Sequence, residues 1–115
     1  MVALVRDLMT ASRIESLVAA SRATLTRVDA VSDLPAPDVV DLLVVDWADR
    51  GADWGQRLAN WRAADGSRPR VVLFGPHADL AAHAAAREAG LGPMRARSAF
   101  FAVLPDLIAG VRRPD

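Results

Sequence analysis

The stretch from Asp41 to Trp47 constrains the fold more than any other part of the chain. Four apolar residues, two of them β-branched, lie between Asp41 and Asp46 without a polar interruption. Such a run is typical of a strand that is buried on both faces in the middle of a parallel sheet. Open α/β folds build their sites at the carboxyl ends of such strands. Asp46, which ends the run, is therefore the first candidate functional residue.

The rest of the chain predicts four more strands, with helices between them. The predicted strands are residues 2–6, 24–28, 70–74 and 94–97. Strands that alternate with helices predict a parallel sheet with helices on both faces, as in a flavodoxin-like fold. The order 2-1-3-4-5 places the most apolar strands in the middle of the sheet. At 115 residues, the chain has the length of one domain, residues 1–115.

Capping residues predict the bounds of the first two helices. Thr10 or Ser12 can cap the first helix, and Ser12 with Glu15 fits a capping box. Asp53 can cap the second helix. Gly66 is predicted to end that helix in the left-handed conformation.

Proline and glycine predict the bounds of the other helices. Two prolines leave room for a very short helix at residues 37–40, before the central strand. Gly90 is expected to end the third helix. Proline is poorly tolerated deep inside a helix, so Pro105 is predicted to lie in the first turn of the last helix. That helix would then begin between Phe101 and Leu104.

Composition excludes several classes of function. The absence of cysteine excludes disulfides, thiolate zinc sites and cysteine nucleophiles. The absence of lysine excludes Schiff-base chemistry and a Walker lysine. A formal net charge of zero gives no general attraction to nucleic acid or to anionic membranes. No segment approaches the roughly 20 apolar residues of a membrane span, and the first apolar run is too short for a signal peptide. We expect a cytoplasmic protein.

The segment from Asp46 to Phe100 resembles the receiver domain of two-component response regulators. The resemblance lies in the spacing of the strand-ending Asp46, the strand that ends at Gly75, the pair Ala89-Gly90 and the segment from Arg97 to Phe100. It implies the flavodoxin-like fold over nearly the whole chain. It also implies a role in signal transduction, with phosphoryl transfer to an aspartate in a phosphorelay.

Five positions carry the chemistry in that family, and this chain departs from three of them. The resemblance makes Asp46 the phosphoacceptor and Asp7 one of two acids that would help it to hold Mg²⁺. Arg6 stands where the second acid would be, Gly75 where a hydroxyl residue would be, and Arg97 where a lysine would be. A phosphoryl group needs a metal, a cation and hydrogen-bond donors to offset its charge. The changes therefore predict a degenerate site, or pseudo-receiver.

We hypothesise that Arg6, Arg97, Asp7 and Asp46 form a closed charge cluster, in which guanidinium groups replace the metal. The chain would then be a stand-alone receiver-like module without cofactor or enzymatic activity. It would work by protein–protein interaction, without Mg²⁺-dependent phosphorylation. The alternative is a functional single-domain response regulator that is phosphorylated on Asp46 and uses Mg²⁺.

Three aromatic residues are candidates for a protein-binding face. Trp47 follows the acid and could be exposed, and the adjacent Phe100 and Phe101 are not expected to point into the same core. In the receiver family, the face formed by the fourth helix, the fifth strand and the fifth helix mediates dimers, which suggests a homodimer here. His77 and His83 lie six residues apart, a spacing that does not favour a metal pair on one helix face.

A third class, an enzyme or a ligand-binding protein on the same fold, lacks support in the sequence. The segment that follows the first strand, residues 7–12, contains no glycine for a phosphate-binding loop.

Overall fold

Five parallel strands form one sheet in the computed structural model, which describes residues 1–64 and 69–112. The strand order is β2-β1-β3-β4-β5, which confirms the predicted order. The strands are β1 (Val2–Leu4), β2 (Thr26–Val28), β3 (Leu42–Asp46), β4 (Arg70–Gly75) and β5 (Met94–Ala96).

The central strand is β3, as its apolar run predicts. Its four apolar residues are fully buried, and Asp46 is 4% exposed. In the register, Val45 pairs with Leu4 of β1 and with Leu73 of β4. The carboxyl ends of the parallel strands therefore meet at one edge of the sheet. We call this the carboxyl edge, comprising residues 5–10, 46–50, 75–80 and 97–98.

Four α-helices connect or follow the strands in the described residues: α1 (Leu8–Ala20), α2 (Trp54–Ala63), α3 (Leu80–Glu88) and α4 (Arg97–Arg112). Two short 3₁₀ turns, at residues 31–33 and 37–39, stand between β2 and β3. This agrees with the very short helix that the prolines predict there. No helix in the described ranges has the length and hydropathy needed to cross a membrane.

Two groups of side chains form the core. Successive residues of a strand point to opposite faces, so neighbouring residues of β3 belong to different groups. Leu43 and Val45 pack in the first group, whose other members include Trp54, Leu58, Ala82 and Ala86. Leu42 and Val44 pack in the second group, whose other members include Ile14, Val18, Phe100 and Leu104.

The first helix begins earlier than predicted and has a different cap. Asp7 is the N-cap of α1, and its Oδ2 accepts a hydrogen bond from the backbone N–H of Thr10 at 2.9 Å. A carboxylate at this position satisfies one of the free N–H groups of the first turn. The prediction of Thr10 or Ser12 as the cap was wrong, because β1 ends at Leu4 and leaves Asp7 in place to cap the helix.

Three further predicted helix boundaries have different outcomes. Asp53 is the N-cap residue of α2, although its side chain makes no capping hydrogen bond. Gly66, the predicted end of that helix, lies outside the described residues. Gly90 follows α3 with a φ of +70°, as predicted. The N–H of Leu91 bonds to Ala86 O at 3.2 Å, which completes a Schellman motif.

The last helix contradicts the prediction that was based on proline. Helix α4 begins at Arg97, directly after β5, and Pro105 lies inside it. Proline removes one helical hydrogen bond, which usually disfavours this arrangement. Here Pro105 is exposed, whereas Leu104 and Ile108 beside it are buried in the core. Burial of the apolar face therefore maintains the helix across the proline.

Candidate functional site

Asp46 ends the central strand as a nearly buried carboxylate. Its Oδ1 accepts the backbone N–H of Ala48 at 3.3 Å, which caps the short 3₁₀ turn of residues 47–49. Loss of hydration on burial raises the pKa of Asp46 above its ordinary value, and the negative charge of Asp49 raises it further. The Ala48 hydrogen bond and the charge of Arg97 act in the opposite direction without reversing the shift.

Asp7, Thr10 and Arg97 form a hydrogen-bonded group beside Asp46. The Oδ2 atom of Asp7 accepts the Thr10 hydroxyl at 2.6 Å. Arg97 Nη2 donates to Thr10 Oγ1 and lies 3.9 Å from Asp7 Oδ2. The two hydrogen bonds from Thr10 are the main cause that lowers the pKa of Asp7. The group therefore joins the start of α1 to the start of α4.

Arg6 does not join this group. Its side chain is exposed, and within the described residues it makes no ion pair or side-chain hydrogen bond. The predicted closed cluster of four charged residues was therefore wrong, because Arg6 lies outside it and, in the described residues, Asp46 forms no ion pair with Arg97. The physical reason is the cap of α1, which turns Asp7 toward Thr10 and Arg97, while the preceding side chain stays in solvent.

A hydroxyl side chain at Gly75, which the receiver resemblance implies, would require the Met94 side chain to move. A Cβ atom built on Gly75 would lie 2.8 Å from Met94 Sδ and 3.6 Å from the backbone nitrogen of Ala48. Met94, on the neighbouring strand β5, is 4% exposed. The thioether therefore fills the position beside Asp46 from which a hydroxyl group would act.

Trp47 is part of the core, which corrects its prediction as an exposed anchor for a partner. It is 1% exposed. Its Nε1–H donates to the carbonyl oxygen of Ala82 at 2.9 Å. The 3₁₀ turn that begins at Trp47 directs the indole under α3, where burial and this hydrogen bond hold it. The side chain joins the end of β3 to α3.

Phe100 and Phe101 are also buried, which corrects their assignment to an exposed face. Phe100 stacks on Phe74 with ring centroids 4.2 Å apart. Phe101 contacts Phe100 edge to face at 5.1 Å, and the guanidinium of Arg13 lies 3.9 Å from its centroid. A helix face is wide enough to bury two adjacent side chains when other elements cover it, as α1 and β4 do here.

The donor set at the carboxyl edge does not fit Mg²⁺. Among the described residues, no three His, Asp or Glu side chains lie together as metal ligands would. Mg²⁺ requires oxygen ligands in near-ideal octahedral geometry. Asp7 Oδ2 is occupied by Thr10, and Arg6 stands where a second acid is needed. His77 also lies at this edge, where its backbone oxygen is 2.8 Å from His83 Nε2.

Thr10 was not recognised from the sequence as a member of this site. It is 2% exposed, and it contacts both Asp7 and Arg97. The available signal was its position three residues after Asp7, which matches an N-cap acid and the third residue of a helix. The contact with Arg97 spans 87 residues, so no local pattern could predict it.

Comparison with known proteins identifies no relative of this chain. No family model matches the sequence, and no curated protein or solved structure matches it either. The function must therefore be argued from the fold and from the carboxyl edge.

Proposed function

We propose that this chain is a cytoplasmic, receiver-like signalling module that acts by protein–protein contact and lacks Mg²⁺-dependent phosphorylation. The proposed fold is flavodoxin-like, with helices on both faces of the sheet. It is supported by the two core groups, because Val44 packs with residues of α1 and α4, whereas Val45 packs with residues of α2 and α3.

The burial of Asp46 is the observation that carries this proposal. A phosphoacceptor must present a carboxylate oxygen to a donor, in line with the leaving group. Asp46 is 4% exposed, and its Oδ1 is directed to the N–H of Ala48. Access of a donor would require the loop after β3 or the side chains above it to move.

The neighbours of Asp46 support the same conclusion. A transferred phosphoryl group requires positive charge and hydrogen-bond donors that are already in place. Arg97 is engaged with Thr10 and Asp7, and the thioether of Met94 fills the space beside Gly75. The residues at this edge therefore stabilise the loops and the helix starts. They do not form an open anion site.

Substitution of Gly75 by threonine should destabilise the protein. The new side chain would overlap Met94 Sδ, and overpacking of this kind costs about 1–3 kcal/mol. When Met94→Ala is already present, adding Gly75→Thr should lower the free energy of unfolding by less than it does in the wild type. Urea denaturation measures both effects. Gly110→Ala, inside α4, is the comparison: its Cβ would meet no other side chain within 4 Å, so alanine there should leave stability unchanged or raise it by about 0.5–1 kcal/mol. Unchanged stability of Gly75→Thr would contradict the assigned role of Met94.

Replacement of Asp46 by asparagine should increase the stability of the protein at neutral pH. Burial raises the pKa of Asp46 above its ordinary value of 3.8, so the folded state holds the proton more tightly than the unfolded chain does. The contribution of Asp46 to the free energy of unfolding is therefore fully present below pH 3.8 and is lost as pH rises through the folded-state pKa. Asparagine is not subject to this loss, and its oxygen can still accept from Ala48.

Urea denaturation of both proteins at neutral and acidic pH tests this expectation. The advantage of Asp46→Asn should shrink as the pH falls toward the ordinary pKa of an aspartate. A wild-type protein that is more stable than the variant at neutral pH would show that the carboxylate has a strong cationic partner, which would favour a working acceptor site.

Titration with Mg²⁺ tests the proposal through tryptophan fluorescence, since Trp47 directly follows Asp46. We expect no saturable change at low millimolar Mg²⁺, and the same flat response from Asp46→Asn. A saturable change in the wild type that Asp46→Asn abolishes would overturn the proposal.

The second candidate function is a working single-domain response regulator. It is favoured by the position of Asp7, Asp46 and Arg97 at the same edge, where the charge of Arg97 partly opposes the rise in the pKa of Asp46. In this alternative, a conformational change would expose Asp46 to a donor.

A further inference from the structure

We propose that the carboxyl edge binds a second copy of this chain in a twofold-symmetric dimer. This inference names a partner for the proposed signalling module and so rests on that function. It is carried by the exposed apolar side chains, by their arrangement around β3 and by the charges beside them.

Exposed apolar side chains are concentrated at the carboxyl edge. In the described residues, four large apolar side chains are exposed: Leu8 (72%), Met9 (83%), Val39 (71%) and Leu80 (80%). Leu8 and Met9 begin α1 after β1, and Leu80 begins α3 after β4. Val39 lies before β3, at the other end of the sheet. Three of the four thus belong to the edge that Asp46 occupies.

Their arrangement fits a twofold axis. Strands β1 and β4 flank β3 on its two sides. An axis near the end of β3 would exchange the start of α1 with the start of α3. It would place Leu8 and Met9 of one copy against Leu80 of the other, and would repeat this contact symmetrically. In a twofold-symmetric dimer each such contact is repeated in reverse, so both copies use the same surface, which is the usual form of a homodimer.

Two exposed residues of opposite charge at this edge can pair under the same exchange. Arg6 is exposed in the segment that follows β1, and Asp49 is exposed in the segment between β3 and α2. Within the described residues, neither forms an ion pair in its own chain. The second copy can supply the missing partner to each of them. The formal net charge of zero also leaves no general repulsion between copies.

Sedimentation equilibrium of the full chain tests the dimer. We expect a concentration-dependent mass that approaches twice 12.3 kDa. The double variant L8E and M9E should weaken the dimer about tenfold or more, as should L80E. Acidic residues stabilise the first turn of a helix, so these variants should fold. Circular dichroism verifies that they do. V39E is the matched control, an equally exposed apolar residue away from the edge, and should leave the dimer intact.

Charge reversal tests the symmetry of the contact. R6E alone and D49R alone should each weaken self-association, because two like-charged contacts form in each homodimer. A mixture of R6E with D49R should recover association, because the heterodimer contains only opposite-charge contacts. A wild type that stays monomeric up to about 1 mM, or edge variants that dimerise as well as V39E does, would overturn the inference. Either result would leave the proposed function unaffected, because phosphorylation of Asp46 is tested separately by intact-mass measurement.

Discussion

Trp47→Ala is expected to lower the free energy of unfolding by about 3–5 kcal/mol, as for other buried large-to-alanine changes. The indole is 1% exposed and packs in the core group that contains Trp54 and Leu58. It also donates its N–H to Ala82 O, which lies in α3. Alanine would remove the packing and the hydrogen bond together, and would leave a cavity between β3 and α3.

Chemical denaturation followed by far-ultraviolet circular dichroism measures this loss. Trp47→Phe should lose less, because it keeps an aromatic ring and gives up the hydrogen bond to Ala82. Val39→Ala, at a side chain that is 71% exposed, should change stability by less than about 0.5 kcal/mol. A Trp47→Ala protein with wild-type stability but impaired self-association would restore the interpretation of Trp47 as a binding residue.

Phe100→Ala is expected to cost a similar amount, about 3–5 kcal/mol. Its ring is fully buried and stacks on Phe74 at 4.2 Å, with Phe101 edge-on at 5.1 Å. Aromatic pairs of this geometry contribute about 0.5–1.5 kcal/mol beyond the area they bury. The substitution therefore removes two ring contacts as well as the packing against the sheet.

Phe100→Leu serves as the comparison in the same denaturation assay, because leucine keeps much of the apolar volume. Its loss should be clearly smaller than that of alanine. Val39→Ala, at an exposed side chain away from the carboxyl edge, should be nearly neutral for stability. If Phe100→Ala were also nearly neutral, the ring would not be part of the core, and its role as an exposed contact would have to be reconsidered.

The sheet was predictable from sequence because its signal is local. The uninterrupted run before Asp46 indicates a strand buried on both faces, and the alternation of strands with helices indicates parallel pairing. The short connection before β3 was predictable for a similar reason, since proline restricts the backbone where it stands. The start of α4 was not predictable, because the packing of Leu104 and Ile108 outweighs the cost of Pro105.

The candidate site was less predictable, because it depends on contacts between distant segments. Sequence placed Asp7, Asp46 and Arg97 at the ends of strands, and the structure brings them to one edge. It could not tell that Thr10 would take the hydrogen bonds of both Asp7 and Arg97, or that Arg6 would stay in solvent. Nor could it tell that Met94 would fill the space at Gly75.

We infer that Asp46 caps the short turn after β3 and does not accept a phosphoryl group. Intact-mass measurement after incubation with acetyl phosphate, with and without Mg²⁺, tests this claim most directly, with Asp46→Ala as the control. We predict that the wild type and Asp46→Ala keep the same mass under both conditions. A Mg²⁺-dependent phosphoryl addition to the wild type that Asp46→Ala abolishes would contradict the account.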